Sequence, residues 1–131
     1  MTRYGPREVP RRPGLFDSRV TVNCDPEKSI EAYKKIMPLN VLATPEESGE
    51  GYICLGNGYS LGIFPDSRGF SFLAVSSRSK RRIRTVVDTF LHLDEVEEID
   101  VPQSYLEEEW RMTTELHGKY GDLVRTVLRE V

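Results

Sequence analysis

Apolar positions along the chain switch between two spacings, and each switch marks an element. From Arg19 to Cys24 (RVTVNC) they alternate, with Val20, Val22 and Cys24 on one side, which is the pattern of a half-buried strand. The next stretch, DPEKSIEAYKKIMP, changes to helical spacing, with Ile30, Tyr33 and Met37 as its apolar stripe. Asp25 suits the N-cap, Pro26 the first helical position, and Pro38 the stop. Asn40 to Thr44 predicts a short strand, followed by a PEESGEG exit loop. Gly51–Leu55 and Tyr59–Phe64 flank Gly56-Asn57-Gly58, a turn signal because these residues tolerate positive φ. After the PDSRG turn, Phe70–Val75 completes an antiparallel meander of three strands.

A second helix is marked more sharply. Ile83, Val86, Val87, Phe90 and Leu91 fall on one helical face, with Ser79 as the natural N-cap. Ile99 and Val101 in the acidic run that follows suggest a short edge strand. Ser104 to Glu107 fits a capping box for a helix through about His117. Asp122 then caps a last helix whose apolar face is Leu123, Val124, Val127, Leu128 and Val131. Ahead of all this, residues 1–18 hold three prolines and four arginines, an extended basic arm. The expected organisation is the arm 1–18, an α+β sheet domain 19–101, and an acidic helical extension 102–131 packed on it. The fold class is α+β, in the order β-α-β-β-β-β-α plus C-terminal helices.

The order over residues 19–93, with Pro45-Glu46, Gly51, LGIF at 61–64 and the SSRS helix start, resembles a single repeat of the TATA-box-binding protein fold. That resemblance implies a curved antiparallel sheet with its helices on the convex side. Phe64 is the one position that matches the family's DNA-bending aromatics. A further stretch, RVTVNCDPEKSIEAYKKI, resembles the opening strand and helix of a vicinal-oxygen-chelate (glyoxalase-like) module. Enzymes of that family bind a metal through His and Glu on facing strands. The two histidines here, His92 and His117, fall on expected helices, and strand 19–24 carries neither residue type.

Composition narrows the function classes. At 131 residues, 38% hydrophobic and 30% charged, the chain suits one soluble domain with a single core. No apolar run is long enough to span a membrane, and the Pro/Arg start does not read as a signal peptide, so a cytoplasmic location is expected. Three Asn and one Gln lean towards a thermophile source. Cys24 and Cys54 lie within strand patterns and read as buried free thiols rather than metal ligands. Neither a GxSxG motif nor a phosphate loop occurs, and Glu107, Glu108 and Glu109 diverge on a helix. No catalytic residue, metal or cofactor is therefore expected.

Charge is unevenly spread. Residues 1–93 carry 14 Lys/Arg against 10 Asp/Glu, a balance of +4, whereas residues 94–131 carry 4 against 11, a balance of −7. Arg78, Lys80, Arg81, Arg82 and Arg84, with Ser79 among them, crowd cations into a helix start, where the dipole favours anions. Three readings stay open: solvated surface, pairing with the acidic C-terminal region, or contact with phosphate or nucleic acid. A lone repeat exposes a sheet face and edge. The expected function is thus a non-enzymatic binding module acting through a protein partner or a homodimer, with Phe64 and Trp110 as candidate interface residues. Nucleic-acid binding through residues 78–84 and the arm is the alternative, and a glyoxalase-like enzyme the third.

Overall fold

A computed structural model describes residues 14–107, 110–113, 116 and 118–129. The chain begins with strand β1 (Leu15–Cys24), followed by helix α1 (Pro26–Lys34), β2 (Asn40–Ala43) and a single helical turn α2 (Pro45–Ser48). The meander β3 (Tyr52–Gly56), β4 (Tyr59–Pro65) and β5 (Ser71–Ser77) leads into α3 (Lys80–Leu91). Then come β6 (Val96–Asp100), the short α4 (Gln103–Leu106), β7 (Arg111–Thr113) and α5 (Gly121–Arg129).

Local chemistry explains most of these boundaries. Asp25 Oδ1 accepts the Lys28 amide at 3.2 Å and Pro26 opens α1, so the helix starts where its free N–H groups are satisfied. Thr44 and Glu47 close a capping box around α2, which turns the expected loop at PEES into one helical turn. Between β3 and β4, Gly58 takes φ 82°, which lets Gly56 pair directly with Tyr59 across a two-residue turn. Ser79 Oγ accepts the Arg82 amide at 3.3 Å and caps α3.

The sheet runs β2-β3-β4-β5-β1-β6 with every pairing antiparallel, and β7 also pairs with β1. β1 is the pivot. One side pairs with β5 along Phe16–Val22, while the other takes β7 at Leu15–Asp17 and β6 at Thr21–Cys24. Direct partners point the same way, so the register sorts side chains into two faces. Val20, Val22, Leu61, Ile63, Leu73 and Val75 lie on the first, fully buried with Ile30 and Tyr33 of α1 and Ile83, Val86, Val87 and Phe90 of α3. Burying each such side chain is worth roughly 1.5–3 kcal/mol, which makes this layer the main core. Within it the Tyr33 and Tyr59 hydroxyls are 2.7 Å apart, and burial pushes both phenols above their ordinary range.

The second face has a smaller cluster, in which Leu15, Val124 and Leu128 are buried with Leu42, Ile53, Leu55, Leu116 and Tyr120 against them. α5 therefore covers part of the sheet opposite α1 and α3. Its residue Leu123, expected on the apolar face, is half exposed, whereas Arg125 is 4% exposed.

Three expectations are corrected. β1 starts at Leu15 rather than Arg19, so four residues assigned to the arm are strand; residues 1–13 lie outside the described set. The helix expected from Ser104 to about His117 stops after Leu106, and Arg111–Thr113 pairs with β1 instead. The reason is geometric: β6 covers only the second half of β1, and the backbone donors and acceptors of the first half need a ladder partner. Ile99 falls within the expected edge strand, but Val101 lies just past its end.

Candidate functional site

The second face is built from small residues in its middle. Register places Ser60 opposite Ser76 and Gly62 opposite Ala74, with Asp17 beside Ser76 and Arg19 beside Ala74. Small side chains on two adjacent strands, β4 and β5, leave a floor bordered by Asp17 and Arg19 of β1, and α5 closes only one end of it. A cleft of about 410 Å³ results, walled by Phe64 and Phe72 on the sheet and by Leu116, Tyr120 and Val124 on the C-terminal side. Ligand sites commonly fall between about 300 and 1,000 Å³, so the cleft is at the small end of that range.

Phe64 is seated by glycines. A Cβ at Gly62 or at Gly51 would overlap its ring, so both positions must lack a side chain for the ring to lie flat. Phe64 stacks on its cross-strand partner Phe72 with ring centroids 5.2 Å apart and planes at 27°. The Arg19 guanidinium carbon stands 5.5 Å from the Phe72 centroid, a cation–π distance. Asp17 holds that guanidinium: its Oδ2 is 3.5 Å from Arg19 Nε, while its Oδ1 accepts the Ser76 hydroxyl at 3.3 Å. Glu50 lines the cleft from the other wall and approaches Gly118.

The basic stretch at the start of α3 does not form one surface. Lys80 Nζ stands 5.0 Å over the Phe16 ring. The Arg82 guanidinium donates to the Asn57 carbonyl in the β3–β4 turn. Arg84 lies 4.6 Å from the Tyr105 centroid and 5.9 Å from that of Trp110, and donates to the Tyr105 carbonyl at 3.3 Å. Arg78, Ser79 and Arg81 are exposed. Three cations thus splay towards β1, a hairpin and the C-terminal segment. Among the described residues, Arg84 meets the C-terminal segment at the Tyr105 carbonyl and the rings of Tyr105 and Trp110.

Of the two candidate interface residues, Phe64 sits in the cleft and Trp110 does not. Trp110 is 7% exposed and stacked on Tyr105 at 5.6 Å, part of the main core. Its ring faces inward, beside Arg84 and Tyr105. The Tyr105 hydroxyl donates to Asp88 Oδ1 at 2.8 Å, which anchors this segment to α3.

Both cysteines are free thiols. Cys54 is fully buried and desolvation pushes its thiol up to about 12; Cys24 is half-buried and also raised by burial. His92 caps α3, with Nδ1 2.6 Å from the Asp88 carbonyl, and His117 lies outside the described residues. Among the described residues no three His, Cys, Asp or Glu side chains gather to hold a metal ion, and no helix is long and apolar enough to cross a membrane.

The alternation of β1 and β5 points to two faces, but the sequence carried no sign that Asp17, Arg19, Ser76 and Phe72 would converge. They come from strands more than fifty residues apart and only the register joins them. No family model, curated protein or solved structure matches this chain.

Proposed function

We propose that the chain is a non-enzymatic binding module whose recognition surface is the half-covered second face of its sheet. One observation carries this reading: the stacked Phe64–Phe72 pair, seated on glycines beside the Asp17–Arg19 pair, walls a cleft that α5 leaves open. Apolar walls with a few fixed polar groups are the usual make-up of a binding site. A protein partner or a second copy of the chain would meet the molecule on this face, around the cleft mouth. The element order over residues 15–91 supports the kinship with a single TATA-box-binding-protein-like repeat. Nucleic-acid binding draws less support, because Lys80, Arg82 and Arg84 are turned towards three different neighbours within the chain.

The test is an NMR dilution series on the full chain, with sedimentation velocity in parallel. Self-association through this face shifts the amides of Arg19, Gly62 and Ala74 as concentration rises, and Phe64→Glu removes the shift. A chain that stays monomeric, and whose second-face amides respond to no added partner or ligand, overturns the reading.

A further inference from the structure

We propose that the cleft takes a small planar aromatic carboxylate, its ring against the Phe64–Phe72 pair and its carboxylate on the terminal nitrogens of Arg19. The inference rests on the binding-module reading and names the occupant of the same face. Size comes first: about 410 Å³ admits a small molecule rather than a helix or a folded loop. Shape comes next, since the stacked Phe64–Phe72 pair lines the cleft with aromatic surface against which another ring packs.

Charge selects the polar end. Both oxygens of Asp17 are engaged, one by the Ser76 hydroxyl and the other by Arg19 Nε, so this carboxylate positions the guanidinium and has little left for a ligand. Arg19 makes that Nε contact and the Phe72 contact, and its two terminal nitrogens have no partner among the described residues. A guanidinium that leans on Asp17 at Nε and on Phe72 along its face, with the far edge open, is a fork for a carboxylate. Ser60 adds a hydroxyl to the same wall. Glu50 faces the cleft as well, and with Asp17 it leaves the lining one negative charge in excess. A second negative group on the ligand would meet Glu50, so a monocarboxylate is favoured over a phosphate ester.

Titrations of the full chain by amide NMR test this, with naphthalene-2-carboxylate and benzoate as probes. Benzylamine, cyclohexanecarboxylate and inorganic phosphate are the comparators. The aromatic carboxylates are expected to shift the amides of Arg19, Gly62, Ala74 and Ser76 saturably, with naphthalene-2-carboxylate binding tighter. Arg19→Gln, at an exposed side chain that leaves the fold intact, is expected to weaken binding roughly ten-fold or more; Phe72→Leu weakens the larger ring more than the smaller. Benzylamine or phosphate binding as tightly, an unchanged affinity in Arg19→Gln, shifts mapping elsewhere, or no shift at all overturns the proposal. If the carboxylates fail while rising chain concentration shifts these amides, the ligand class falls and the binding module stands. If those amides answer to neither, both fall.

Discussion

Arg125 is the residue most at odds with its surroundings. It is 4% exposed on the sheet side of α5, and neither terminal guanidinium nitrogen has a hydrogen-bond partner among the described residues. A buried cation without a partner loses its hydration and regains little, so an apolar side chain of similar length is the better fit. Arg125→Met is expected to stabilise the chain by about 1–3 kcal/mol, seen as a rise of several degrees in thermal midpoint. A fall in midpoint would mean that the guanidinium is paired. Gly56 is the opposite case, a residue whose lack of a side chain is required. A Cβ there would overlap the Tyr59 ring, which crosses the strand to bond Tyr33. Gly56→Ala is therefore expected to cost about 1–3 kcal/mol in denaturant unfolding, despite its better intrinsic propensity. These two positions show what can be read from sequence. The glycine was legible as a turn residue but not as a seat for a ring, and no local pattern marks Arg125 as buried.

At the scale of elements, α3 shows how a helix accommodates a first turn of the wrong charge. Ser79 satisfies one amide, Arg82 reaches back to the β3–β4 turn, and Lys80 and Arg84 lie over aromatic rings. The cations therefore pack across elements, and the dipole's repulsion is offset by those contacts. Loss of the cap alone should cost about 1 kcal/mol in Ser79→Ala, read from the shift in urea midpoint at unchanged slope. A change in slope would instead point to a wider opening of the α3 start. The Ser79 cap and the α3 stripe were fully legible because both are local patterns at fixed spacing. The fate of residues 103–113 was not. SYLE carries a capping-box signature, and no local rule signals that Arg111–Thr113 is needed to complete the ladder on β1.

Across the whole molecule, one core dominates and it contains ionisable groups held neutral. Cys54, Tyr33, Tyr59 and Tyr105 all have raised values, with desolvation as the largest cause in each. For an acid whose value is raised by folding, the unfolded chain loses its proton first. Stability is then fully present below the ordinary thiol and phenol range and declines as pH rises through it. Unfolding free energy is expected to fall steadily above about pH 9, the lower edge of that range. Cys54→Ala should flatten the first part of the decline, and an unchanged slope in that variant would assign it to the tyrosines alone. Half-buried Asp66 and exposed Glu47 act at the other end. Arg68 holds the first below its usual value and Thr44 the second, so their contribution is present above the carboxylate range and lost as pH falls below it.

By itself the sequence determined the strands and long helices from β1 to α3, apart from the first residues of β1 and the single turn α2, because alternation, helical stripes, caps and turn residues act between near neighbours and leave few alternatives. It also determined the α+β class, since a strand, a helix, four strands and a helix bury their apolar faces by packing the helices on one face of the sheet. Only the tertiary structure decided that β1 is shared among three strands, that Trp110 turns inward, and that α5 caps part of the second face. Only it brought Asp17, Arg19, Phe64, Phe72 and Ser76 to one cleft. The physical reason is the same in each case. These outcomes depend on register between segments far apart in the chain, where a one-residue slip moves every side chain to the other face.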